Sequence, residues 1–553
     1  MRRSLLSALA ALLAVSVHAA TSPLKLLVQD RETQRPIAGA QATIGSFSGL
    51  SDESGLVQAS LPHGSYQLRV AASGYRVFKT SVKLEGSRQL VVLMRPDGSP
   101  PAQDATTKTE RFDRDPGWDG RNNVNDAIEP REIKQNFGYS PTAHAGGRPG
   151  EIGGRITPAG EPAFYASALK ELTLDDELSA SGRVSLGPDE AGGNTLLGFF
   201  NAESVNEWRT PNSIVLRLYG RGDKIHVQAE YATGKWRAGA QAFTNGGREA
   251  FLFPAAGPHF WSLRYEPKDG GRITATFDGK SVVVPFDAGH QADGARFNRF
   301  GLLNVVKSAD GPGNVWVDDL TVNGEAFDFS TDPGWDGRRN RETYSSPEVR
   351  FRFDFGWRPT SHAGGGRGEL GGLIYRGDDR SAGTLAYYGD RLQTLTLASP
   401  FRASGRVVLK RGQTDSGVHL GFFNAEESMR VSERNVGSIP ENFAGISIEG
   451  PSREGFLPYP CYGTDKDGQA RCAQGDERPH LYPDGKPHQW TLEYSPEGGG
   501  RLTATLDGQS SSLSLESGHQ ALGASFDRFG IITTHVDGNG QEIYFDDLTY
   551  TVK

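Results

Sequence analysis

The chain has 553 residues, too many for one compact core, so two to four domains are expected. Its 59 Lys and Arg against 67 Asp and Glu leave a net charge of −8, which argues against nucleic acid, whose binders need a basic stripe. The 71 glycines show no Gly-X-Y period, which excludes collagen, and are too many for a helical bundle. With 28 Phe, 17 Tyr and 8 Trp they predict an all-β chain of short strands and turns.

Residues 1–20 carry Arg2 and Arg3, an apolar run from Leu5 to Val17, and the small-residue exit Val17-His18-Ala19. This is the three-part pattern of a secretory signal peptide, cut after Ala19 or Ala20. The run is shorter than the roughly 20 residues that span a bilayer. No later segment is apolar enough to span, and Asn-x-Ser/Thr acceptors are absent. A secreted or periplasmic bacterial protein with no membrane span is expected.

Residues 23–95 form the first block. Alternating stretches (LKLLV, AQATI, YQLRV) are separated by turn chemistry at Pro36, Asp52-Glu53-Ser54-Gly55 and His63-Gly64. Pro36-Ile37-Ala38-Gly39-Ala40, Ser51-Asp52-x-x-Gly55, Gly64-x-Tyr66 and Gly74-Tyr75 follow in order. With them the block resembles the carboxypeptidase regulatory-like, transthyretin-like small sandwich, which implies a scaffold or adhesion module without catalysis. Residues 96–110 are polar and proline-bearing and read as a linker.

The remainder is a duplication, with copies at 111–325 and 326–553. Asp115-Pro116-Gly117-Trp118-Asp119-Gly120 returns at 332–337, and His144-Ala145-Gly146-Gly147 at 362–365. Leu197-Gly198-Phe199-Phe200-Asn201-Ala202-Glu203 returns at 420–426, Gly289-His290-Gln291-Ala292 at 518–521, and Asp318-Asp319-Leu320-Thr321 at 546–549. DPGWDG reads as a turn whose Trp anchors the start of each domain, with a sugar-stacking Trp as the alternative. Near its end each copy has Trp-x-Leu-x-Tyr, a hairpin turning at Asp278-Gly279 or Asp507-Gly508, and a closing Asp-Asp strand. This order resembles the concanavalin A-like, laminin-G-like jelly roll. DPGWDG and HAGG match no characterised family, the nearest likeness being to modules associated with bacterial glycoside hydrolases.

Two sets of residues are candidates for chemistry. The first pairs His144 with Glu151 and His362 with Glu369 in glycine-rich loops, where imidazole beside carboxylate can move a proton near neutral pH; a bent structural loop is the alternative. The second is Asn201 with Glu203, and Asn424 with Glu426, on a strand whose alternate residues share a face. The jelly-roll resemblance puts carbohydrate on the concave face. Trp208 and Tyr165 in one copy, and Tyr387 or Tyr388 in the other, are candidates to stack on a sugar ring; a buried polar ladder is the alternative. A hydrolase needs two carboxylates about 5–10 Å apart, for which Glu151 with Glu203 or Glu369 with Glu426 are candidates. His144, Tyr165 and Asn201 suffice chemically for a lyase.

The jelly-roll resemblance also implies a structural Ca²⁺ on a last-strand Asp, with Asp318, Asp319, Asp546 and Asp547 as candidates; edge charges that discourage aggregation are the alternative. No organic cofactor is expected. Cys461 and Cys472 are the only cysteines and are expected to form a local disulfide in an oxidising compartment, with free thiols as the alternative. Three functions remain open: a carbohydrate-binding protein engaging a polysaccharide through both jelly rolls, a polysaccharide-degrading lyase or hydrolase acting from one of them, and a noncatalytic envelope or adhesion protein. A residue set complete in one copy only would favour the enzyme.

Overall fold

A computed structural model describes residues 21–94 and 106–553, apart from 32–34, 73–74, 76, 126–128, 188–193, 205–209, 248, 256, 307–310, 379–380, 414, 431–438, 467–468 and 475–477. The signal-peptide segment lies outside the described residues, as do Trp208 and most of the expected linker. The described chain is all-β, with short helical turns only, and none of its helices is long and apolar enough to cross a membrane. It divides into two compact units, Met1–Asp104 and Ala105–Lys553.

In the first unit a three-stranded sheet and a four-stranded sheet enclose a core that includes Leu24, Leu26, Val28, Leu68 and Val70. The alternation read in LKLLV and YQLRV is this inward and outward pattern. Asp52 closes the turn after Ser51: its Oδ1 accepts the backbone N–H groups of Ser54 and Leu56, each at 2.9 Å. Gly55 has φ of 76°, and a Cβ there would lie 2.4 Å from the carbonyl oxygen of Val28, so only glycine fits.

The second unit holds two antiparallel sandwiches. The front sheet of the first runs Ala238–Ala242, Lys224–Ala232, Ser213–Arg221, Asn194–Phe200, Arg296–Asn304, Phe164–Thr173 and Asp336–Arg338. Its back sheet is centred on Glu151–Ile156, Gly313–Val322 and Leu178–Leu186. The second sandwich repeats this, with Phe443–Ser452 and Ser416–Phe423 in the front sheet and Glu369–Tyr375 and Gly540–Thr551 in the back. Inward residues of each pair of sheets make one large apolar core per sandwich.

Strand pairing crosses the expected boundaries. Asp336–Arg338, at the head of the second sequence copy, closes the front sheet of the first sandwich by pairing with Phe164–Thr173. The equivalent Asp119–Arg121 leaves its own copy and pairs with Tyr387–Thr396 of the second sandwich, while Thr107–Glu110 pairs with Gly540–Thr551. Trp118 is buried there against Phe112, Tyr388 and Tyr550, and Trp335 packs on Tyr165, Phe327 and Phe329. DPGWDG therefore leads into an edge strand of the other copy's sandwich rather than starting its own. Asp115 and Asp332 each accept the N–H of the glycine two residues on at 2.9 Å, so the turn reading holds locally.

Candidate functional site

Glu151 and Glu369 sit on the outer face of the back sheets, fully buried beneath the HAGG loops. Glu151 accepts the Thr142 hydroxyl at 2.5 Å and the backbone N–H groups of His144 and Ala145 at 2.9 and 2.8 Å. Glu369 does the same with Thr360, His362 and Ala363. The repeated His and Glu are thus joined, but through the histidine's main chain. The His144 ring packs tilted against Trp316 with centroids 4.0 Å apart, and His362 packs tilted against Tyr544 at 4.6 Å with Lys410 3.3 Å from its Nδ1. These carboxylates staple a loop; the proton-transfer pairing expected for them does not form.

Asn201 and Asn424 lie at the end of a front-sheet strand, where they cap a turn. Asn201 Oδ1 accepts the Glu203 N–H at 3.0 Å, and Asn424 Oδ1 accepts those of Glu426 and Glu427 at 3.1 and 3.0 Å. Glu203 and Glu426 are exposed on those turns. The two candidate sets therefore occupy different sheets. Glu151 with Glu203, and Glu369 with Glu426, do not face one bond, and the hydrolase pairing fails, as does the His144, Tyr165 and Asn201 grouping. Tyr165 and Tyr388 point into the cores and donate to Asp332 and Asp115 at 3.3 and 3.2 Å, which ties down DPGWDG. Tyr387, one residue along, faces the opposite way and packs on Phe423 on the outer face of the front sheet.

In the closing Asp-Asp pairs the second residue adopts a left-handed φ, 47° at Asp319 and 50° at Asp547, and the pairing register shifts beside it. The motif is a β-bulge. Asp319 and Asp547 turn to Arg183 and Arg406, at 2.9 and 3.1 Å, so they are engaged as ion pairs and do not fit as cation ligands. Asp318 and Asp546 are buried. Asp546 Oδ1 accepts the Asp547 N–H, while its Oδ2 is buried without a hydrogen-bond partner. Burial, with the carboxylates of Asp547 and Glu369 nearby, pushes the Asp546 carboxyl up to about 7. Asp318 is raised by the same causes, burial first. The bare, buried oxygen of Asp546 is of the hard type that suits Ca²⁺, although the nearest acids are already engaged, Asp547 by Arg406 and Glu369 by the loop donors.

The polar groups that do converge were not candidates from sequence. On the outer face of the second front sheet, His419, Ser447 and Tyr459 stand directly opposite one another on three adjacent strands, with Glu449 two residues beyond Ser447. The Tyr459 hydroxyl donates to Glu449, and Arg376, arriving from the back sheet, pairs with Glu449 and, at 2.9 Å, with Asp415. Arg478 lies over the Tyr459 ring at 4.9 Å. Arg376, Asp415, Glu449, Tyr459 and Arg478, together with Gly450, Ser452 and Leu457, line a cleft of ≈ 410 Å³. Burial and then the Glu449 carboxylate raise the Tyr459 hydroxyl above its ordinary value. Burial alone would raise Glu449, but Arg376 and the Tyr459 hydroxyl outweigh it and hold it below the usual range. At neutral pH the cleft therefore holds a protonated phenol, a carboxylate and guanidiniums.

The first sandwich does not repeat this set. Strand register places Leu196 where the second has His419, Arg217 for Ser447, Tyr219 for Glu449 and Gln228 for Tyr459. Arg217 makes a bidentate, buried pair with Glu230 at 2.6 and 2.7 Å and also reaches Asn194. The only sequence signal for this asymmetry is the loss of period between the copies after the shared Gly-Phe-Phe-Asn-Ala-Glu. Beside the cleft, Cys461 and Cys472 face one another across two strands and are disulfide-bonded, as expected.

No family model and no curated protein matches this chain. Among solved structures, it is similar to domains LG4-5 of the mouse laminin alpha1 chain, at 12% identity and a TM-score of 0.22, over 76% of this chain and 91% of that one. It is similar to the carbohydrate recognition domain of Emp47p, at 14% identity and a TM-score of 0.24, over 35% of this chain and 88% of that one. It is also similar to the endo-beta-1,4-glucuronan lyase of the fungus Trichoderma reesei, at 12% identity and a TM-score of 0.23, over 40% of this chain and 95% of that one. At these values the likenesses assign neither a family nor a ligand.

Proposed function

We propose that this is an exported glycan-binding protein whose site is the cleft on the front sheet of the second sandwich. The observation that carries this reading is the convergence of Arg376, Asp415, Glu449, Ser452, Tyr459 and Arg478 on one cleft of ≈ 410 Å³, large enough for one or two sugar rings. Fixed donors and acceptors of both kinds suit sugar hydroxyls, each of which can give and take a hydrogen bond. The first sandwich lacks the set, so we place one site on each chain where the duplication suggested two. Asp318 and Asp546 are the proposed residues for a bound Ca²⁺, which would neutralise their buried charge and stiffen the HAGG loops.

One observation favours the second reading, a polysaccharide-degrading enzyme: the set is complete in one copy only. The protonation states weigh against it. A phenol held protonated can donate a proton to a leaving oxygen, but a carboxylate held low by Arg376 is a weak base for the abstraction a lyase requires. The test is incubation of the mature protein with acidic and neutral polysaccharides, reading retention of polymer, new reducing ends and unsaturated-uronate absorbance. Binding without cleavage, lost at least tenfold in Tyr459→Ala or Arg376→Ala, is the expected outcome. Cleavage would move the cleft to the enzyme reading, and absence of both would remove the glycan reading.

A further inference from the structure

We propose that the first sandwich supports the cleft of the second rather than binding glycan itself, and that it acts through Glu454 at the tip of the hairpin forming the cleft wall; this rests on the reading of the cleft given above. The strands Phe443–Ser452 and Gly455–Gly463 carry Glu449, Leu457 and Tyr459 into the cleft. The tip between them, Arg453-Glu454, leaves its own sandwich and docks on the first.

The dock is built in the Gly289-His290-Gln291-Ala292 loop, a repeated motif that the cleft does not use. His290 is fully buried, with Nδ1 2.9 Å from the Tyr231 hydroxyl and Nε2 2.9 Å from Glu454 Oε1. The Tyr231 oxygen accepts the Asp287 N–H at 3.0 Å, which leaves its proton for Nδ1 and the Nε2 proton for Glu454. Arg237, held by Asp293 at 2.5 Å and by the Gly289 carbonyl at 2.6 Å, reaches Glu454 at 3.4 Å. Arg453 pairs with Asp287 at 3.1 Å, and its carbonyl accepts the Ala238 N–H at 2.8 Å. Two consecutive residues of the second sandwich thus make four polar contacts to the first.

The second copy of the motif shows what is specific to this one. His519 Nδ1 meets the Tyr462 hydroxyl at 2.9 Å in the same way, but its Nε2 faces Glu516 of the same sandwich at 3.5 Å. Gln291 and Gln520 likewise both donate to a proline carbonyl, of Pro267 and Pro496, at 2.8 Å. The motif is a loop plug in both copies, and in the first its free imidazole edge has become the seat for the neighbour's hairpin. A hairpin tip held at both residues is denied the fraying that exposed turns undergo, so Glu449 and Tyr459 stay in register with Arg376.

Hydrogen exchange on the unliganded full chain tests this. Glu454→Ala and His290→Ala are expected to raise exchange of the amides in 445–462 at least tenfold while leaving the two back sheets unchanged. Glu454→Gln, which keeps an oxygen to accept from His290, should restore most of the protection. Unchanged exchange in that hairpin overturns the proposal. With any polymer that the wild type retains, Glu454→Ala should weaken binding five- to tenfold, whereas Tyr219→Ala and Gln228→Ala on the first sandwich should not. Weakening by either of the latter would make the first sandwich a binding site and overturn the proposal. A loosened hairpin in a protein that retains no polymer would leave the support intact and overturn the glycan reading alone.

Discussion

Asp546 is a residue whose charge the fold accommodates poorly. Its carboxyl is raised to about 7, above the value near 4 of an unfolded carboxyl, so protonation favours the folded state. Stability from this group is full below pH about 4 and is lost as pH rises through about 7. Without added cation the thermal midpoint should fall between pH 5 and 8, and Asp546→Asn should flatten that fall. Added Ca²⁺ should raise the midpoint at pH 8 more in the wild type than in the variant, which keeps Asp318. Glu369 is the contrasting case, a buried carboxylate whose three donors are all in place. Glu369→Ala leaves two backbone amides without an acceptor and should cost about 2–3 kcal/mol in urea unfolding, whereas His362→Ala should cost less than about 1 kcal/mol.

Among elements, the segment Thr107–Arg121 decides the integrity of a sandwich far along the chain. It adds a strand to each sheet of the second sandwich and fills its core with Phe112 and Trp118, and Lys108 pairs with Asp390 at 2.7 Å. Trp118→Ala should cost about 3–5 kcal/mol, and the lost hydrogen-exchange protection should be larger in Tyr387–Thr396 and Gly540–Thr551 than in the first sandwich. Trp335→Ala, which faces the other core, should loosen Phe164–Thr173 instead. The turn at this motif was legible because Asp-Pro-Gly and Asp-Gly act locally. Its destination was not, because a strand three residues long carries no record of the strand it will pair with.

For the whole molecule, the pairing of Thr107–Glu110 with Gly540–Thr551 joins the two ends of the double sandwich, and the Arg453-Glu454 tip joins its middle. Such a body should unfold with the two sandwiches coupled, so Trp118→Ala should lower the melting of the first sandwich by less than that of the second but not leave it independent. Calorimetric titration with an oligosaccharide from any retained polymer should give one site per chain. A stoichiometry of two would return the first sandwich to binding.

The sequence by itself pointed to the all-β class, the duplication, the disulfide and turns such as those at Asp52 and in DPGWDG, because alternation, glycine at left-handed positions and Asx capping act over a few residues. It also brought His144 to Glu151 and His362 to Glu369, although through main-chain amides in place of imidazoles. What only the tertiary structure decided is which sheet each acid lies on, which sandwich each DPGWDG completes, and that His419, Glu449, Tyr459 and Arg376 meet. Three of them come from front-sheet strands and Arg376 from just past a back-sheet strand, and their meeting depends on strand register and sheet order. Register is fixed by packing across the core, so residues brought together by it leave no spacing pattern in the chain.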